Sequence, residues 1–89
     1  MKEITIDCRG FVPRSDLHRA FAEALSFPDH YGNNLDALHD CLTEIAEPTR
    51  IRLLNWAAAE ETLGNYARSA KRAILDAAIR NTDLAIIFE

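Results

Sequence analysis

Three strand-like runs separated by long links restrict this chain more than any other feature of its sequence. Lys2 to Cys8 alternates, with Ile4, Ile6 and Cys8 on one side and Glu3, Thr5 and Asp7 on the other, as in a half-buried strand. Arg50 to Asn55 (RIRLLN) reads as a second strand, with Ile51 and Leu53 pointing one way. Leu84 to Phe88, opened by Asp83, is an unbroken apolar run, the pattern of a strand covered on both faces. Each link is long enough to hold two helices. That length permits parallel pairing through crossovers, which are nearly always right-handed.

The links carry the helix signals. Gly10 and Pro13 end the first run, and Ser15 is placed to cap a helix with Leu17, Ala20, Phe21, Ala24 and Leu25 on its apolar face. Pro28 should stop that helix, because the residue before a proline avoids the helical region. A second helix is expected from Asn33 or Asn34 to Pro48, with Gly32 suited to a turn of positive φ. Trp56 begins a short helical piece, AAAEETL, that Gly64 closes. Asn65 can cap a fourth helix, whose stripe of Ala67, Ala70, Ala73, Ile74, Ala77 and Ala78 lets it sit close to a sheet. The order predicts an α/β fold, a three-stranded parallel sheet packed with about four helices, in a single domain over residues 1–89.

Composition narrows the function. With 48% hydrophobic and 27% charged residues, the chain can bury a modest core. A net charge of −4 and a pI near 5.3 argue against unaided nucleic-acid binding, which needs a basic footprint. No apolar run approaches the roughly 18–20 residues of a membrane span, and the N-terminus lacks a signal-peptide segment, so a cytoplasmic protein is expected. Cys8 and Cys41 are far apart and in no CxxC pattern, which points to free thiols.

The acidity is concentrated. From Ser26 to Glu47 the chain has Asp29, Asp36, Asp40, Glu44 and Glu47 and neither Lys nor Arg, whereas outside this window ten basic residues meet nine acidic ones. On the second helix, Leu38, Leu42 and Ile45 share one side, flanked by Leu35 and Cys41. Asp36, Asp40, Thr43 and Glu47 fall opposite, bordered by His39 and Glu44. Asp36 suits the positive end of the helix dipole, but Asp40 lies deeper and gains little from it. The two repel each other at i, i+4 by about 0.2–0.5 kcal/mol, and nothing nearby in sequence neutralises them. The plain alternative is a solvated helix face.

The run PDHYGNNLDALHDCLT resembles the signature block of the barstar family, small intracellular inhibitors of ribonucleases such as barnase. Pro28, Tyr31, Gly32, Asn34, Leu35, Asp36, Ala37, Leu38, Asp40, Cys41, Leu42 and Thr43 match in place. A looser likeness covers Ser15 to His18 and Asp83 to Phe88. The resemblance implies a three-stranded parallel sheet with helices, and a function of plugging a nuclease active site with the acidic helix and the loop before it. It implies that Asp40 occupies an RNA-phosphate position among Arg and His groups. Asp36, His30, Asn34, Leu35, His39, Thr43 and Glu44 would complete the surface, with Asp76 from the fourth helix. Three positions depart from the family pattern: His30 replaces an aromatic residue, His39 a tryptophan and Glu44 a glycine. The implied partner is a basic secreted or toxin ribonuclease, bound 1:1 by a monomer, with no cofactor.

Other readings compete. His30, Asp36, His39 and Asp40 are residue types that bind Zn²⁺ or Mn²⁺. A barstar-like adaptor for another basic protein or toxin would use the same surface. Hydrolase activity lacks a nucleophile setting, since His18, His30 and His39 have no evident Ser or Cys partner. His18 is expected to be at the surface or partly packed, Trp56 and Tyr66 to pack, and Tyr31 to be available to a partner.

Overall fold

A computed structural model describes all residues from Met1 to Glu89. The elements run β1 (Lys2–Asp7), α1 (Ser15–Leu25), α2 (Leu35–Thr43), β2 (Thr49–Leu54), α3 (Trp56–Leu63), α4 (Asn65–Arg80) and β3 (Leu84–Phe88). The strands form one parallel sheet in the order β1-β2-β3, with Ile4 opposite Ile51 and Ile51 opposite Ile86. The fold class expected from the sequence is therefore the one observed.

Alternation along the strands sets the layers. Ile6, Ile51, Leu53 and Leu84 point into a core completed by Leu17 and Phe21 of α1, Leu38 and Leu42 of α2, and Ala67, Ala70, Ile74 and Ala77 of α4. Each large aliphatic side chain buried there contributes about 1.5–3 kcal/mol. The fourth helix packs against both α2 and β3. Both cysteines are free; Cys8 is enclosed, and burial pushes its thiol up to about 12.

The third strand differs from its sequence pattern. It is covered on one face only: Leu84 is buried, whereas Ala85 and Ile87 are exposed, Ile87 by 40%. Their side of the sheet is open and also carries Glu3, Thr5, Arg50 and Arg52. An unbroken apolar run on a short edge strand thus does not imply two covered faces.

Helix ends also shift. Ser15 lies inside α1 and does not cap it; the residue before the helix is Arg14, and the Asp16 carboxylate instead accepts the Val12 N–H at 3.0 Å. The helix stops before Pro28 is reached, because Ser26 adopts left-handed φ 56° and Phe27 N–H bonds to Ala22 O at 3.0 Å. Asn34 caps α2 as expected, its Oδ1 accepting the Ala37 N–H at 2.8 Å. The positive φ before it belongs to Asn33 (53°) and not to Gly32. Gly32 is needed for closeness: a Cβ there would lie 3.1 Å from Asn34 Nδ2, crowding the cap. Gly64, at φ 55°, ends α3 as expected.

Candidate functional site

The second helix is fixed from behind and bare in front. Leu38 and Leu42 are fully buried, while Leu35, Ala37 and Cys41 are half-buried along the flanks. That anchoring turns Asp36, Asp40 and Glu44 outward, all exposed, and the Asp40 side chain is 79% exposed. The Asp36 carboxylate has no cation within ion-pair distance. The sole group of that kind near Asp40 is His39 Nδ1, at 4.0 Å.

α2 is shorter than the sequence suggests, and this removes one carboxylate from the stripe. It ends at Thr43, and Glu47 lies beyond it, 3.4 Å from Lys2 Nζ. The end is set by Asn81, a buried residue after α4. Its Nδ2 donates to the carbonyls of Leu42 (3.0 Å) and Ile45 (2.9 Å). A last helical turn leaves carbonyls without partners, and here a side chain distant in sequence takes them.

The remaining expected residues are placed as follows. His30 is exposed in the link before α2, and Asn34 is exposed while serving as the cap. Thr43 is half-buried, its hydroxyl donating to Asp40 O at 2.8 Å, so it faces a partner only in part. His39 is half-buried beside α4, and its Nε2 lies 2.6 Å from Asp76 Oδ2. Asp76 therefore lies beside α2, and it is already engaged. Arg80 Nε donates to the same oxygen at 2.7 Å, and bonds from Arg80 and then His39 hold the carboxyl below its ordinary range. Arg80 is not among the residues expected from the sequence, although its i, i+4 spacing from Asp76 marks the pair.

A tyrosine and a histidine correct further expectations. Tyr31, expected to be available to a partner, is buried, and its ring packs 4.9 Å from that of Phe27. His18, expected near the surface, is fully enclosed. Its Nδ1 lies 2.6 Å from the Tyr31 hydroxyl and its Nε2 lies 2.5 Å from the Tyr66 hydroxyl. A buried histidine needs both ring nitrogens satisfied, and no sequence pattern identifies partners 13 and 48 positions away. Trp56 packs as expected, edge-on to Phe88 at 5.0 Å.

No group of three or more His, Cys, Asp or Glu residues is arranged to hold a metal ion. The four residues of the metal reading are not gathered, because His39 turns to Asp76. No helix is long and apolar enough to cross a membrane.

Comparison with known proteins adds to this geometry. A family model described as "Barstar (barnase inhibitor)" matches residues 1–89. A protein of Bacillus subtilis (strain 168), "Putative ribonuclease inhibitor YrdF", is 41% identical over 78 residues, covering 86% of this chain and 86% of its own length. The family so described is one of inhibitors, not enzymes. Matched from its first residue to its last, the chain belongs to the barstar family.

Proposed function

We propose that the protein is an intracellular inhibitor of a barnase-like ribonuclease, and that it blocks the nuclease's basic active site with α2 and the loop before it. The observation that carries this reading is the pair of exposed carboxylates on α2, Asp36 and Asp40, which no Lys or Arg of the protein neutralises.

A ribonuclease cleft is lined with Arg, Lys and His because it must stabilise a highly charged phosphoryl-transfer transition state. Such a cleft also attracts other anions. Carboxylates at i and i+4 stand about 6 Å apart, comparable to successive phosphates along a strand. A rigid helix carrying them imitates the substrate's charge without offering a bond to cut. Arg can meet a carboxylate through two parallel hydrogen bonds. The i, i+4 repulsion in the free protein is relieved when cations arrive.

Asp40 is the central anchor in this arrangement and Asp36 its neighbour. His30, Asn34, Leu35, His39, Thr43 and Glu44 frame them, and Asp76 supports from α4. The field of an uncompensated acidic face also speeds encounter with a basic partner. The barnase–barstar pair shows both such steering and such charged anchors.

Titrating a barnase-like ribonuclease with the protein tests the reading. RNA cleavage should fall linearly to zero at a 1:1 ratio, and cells co-expressing both proteins should survive. Undiminished cleavage at excess inhibitor, across a panel of such nucleases, would contradict it.

A further inference from the structure

Between Ser26 and Asn34 the chain is neither helix nor strand, and Tyr31 is its only buried side chain. Backbone ties in this stretch are few. Tyr31 N–H bonds to Pro28 O at 2.9 Å, and Asn34 Nδ2 donates to Gly32 O at 3.3 Å. The exposed part of the loop, including His30, is therefore held chiefly by the Tyr31 ring and its hydroxyl.

That hydroxyl is one end of a three-member chain. His18 of α1 stands in the middle, and Tyr66, in the first turn of α4, is at the far end. Arg14 lies over the Tyr66 ring, 4.8 Å from its centroid, and fixes it from outside. Burial and the Arg14 charge both disfavour protonated His18. A neutral imidazole has one N–H and one lone pair, so one tyrosine hydroxyl donates to the ring and the other accepts from it. Losing the Tyr66 oxygen leaves Nε2 without a partner in an enclosed site. A shift of tautomer reverses the polarity of the Tyr31 bond and still leaves Nε2 without a partner. Either way the tie on the loop weakens.

From this geometry we infer that Tyr66 is a positioning residue for the recognition loop, acting through His18 on Tyr31 without touching the loop's exposed residues. The inference rests on the proposed role of that loop in nuclease binding. It adds to the docking surface a residue on the opposite side of His18, on an element that otherwise enters through Asp76.

Tyr66→Phe tests it, since the ring and the Arg14 contact are kept and only the hydroxyl is removed. Two measurements are made: dissociation of the complex with a barnase-like ribonuclease, and amide exchange in the free protein. Dissociation should accelerate about three- to tenfold, the range of one lost internal hydrogen bond. Amide exchange from Asp29 to Asn33 should quicken while the α2 amides stay as in the wild type. Combined with His30→Ala, the effect should be less than the product of the two single effects. Combined with Asp40→Ala it should multiply. Wild-type loop exchange, exchange raised equally across the chain, or identical coupling to His30 and Asp40 would overturn the inference. If no such nuclease binds the wild type, the inhibitor reading fails, while the exchange arm still decides whether Tyr66 orders the loop.

Discussion

The open face of the sheet and the outer face of α2 are both solvent-exposed and charged, and they differ in how the charges are settled. On the sheet, Arg50 lies 3.5 Å from Glu3, Arg52 lies 2.6 Å from Glu89, and Asp7 is 2.7 Å from Arg9. Their partners hold Asp7 and Glu89 below the ordinary carboxylate range. On α2, Asp36 and Asp40 have no such partners. Charge count alone would not separate the two faces. Pairing does, because a neutralised ladder presents little field to an approaching protein, whereas an unpaired row is free to exchange water for a partner's cations.

Replacing one residue on each face gives the largest expected contrast. Asp40→Ala should weaken inhibition by several kcal/mol, as truncating a desolvated charged anchor does. Glu89→Gln should leave inhibition unchanged, although it unpairs Arg52. Competition binding against a barnase-like nuclease measures both. Equal losses from the two faces would remove the distinction.

Association kinetics sharpen the contrast at the next level. The rate constant for binding should fall steeply between low and physiological salt, by about tenfold or more. Asp36→Asn should flatten that dependence, and substitutions in the Glu3–Arg50 pair should not. Stopped-flow fluorescence at a series of salt concentrations reads both slopes.

Acid separates the interior from the open sheet face. His18 is held neutral by burial and by Arg14, so its folded-state pKa lies below its unfolded value. The unfolded chain then binds more protons, and stability that is complete above about pH 6.5 is lost as pH falls towards the lowered folded value. Asp7 and Glu89 have depressed folded-state values, so the stability they supply persists to lower pH and is lost below about pH 4. Thermal melts across pH 7 to 3 should therefore fall in two stages, and His18→Gln should abolish the first.

The smallest effect has the opposite sign to the first. In the free protein, Asp40→Asn should stabilise the fold by about 0.2–0.5 kcal/mol by removing repulsion with Asp36, even as binding suffers, because Asp40 lies too deep in α2 to gain from the helix dipole. Urea unfolding of the isolated protein would show it. A binding face that is slightly unfavourable to its own fold is what an unpaired row of carboxylates should be.

Much of this was legible in the residues themselves. Alternation in Lys2 to Cys8 and the spacing of Leu38 and Leu42 follow local geometry, and they locate β1 and the buried side of α2. The Asn34 cap is likewise a local signal. What escaped was set by partners far along the chain. Asn81 ends α2 and so takes Glu47 out of the acidic row. Asp76 turns His39 inward, and Tyr31 and Tyr66 converge on His18. Leu84 to Phe88 misled for a related reason: whether a strand has one covered face or two depends on where the helices settle.

The most direct test is an amide chemical-shift map of the protein as a barnase-like ribonuclease is added. The largest changes should fall on His30 and on Asn34 to Glu44, with Glu3, Arg50, Arg52 and Glu89 unmoved. Changes gathered on the sheet face, with the α2 amides at their free positions, would contradict docking through α2.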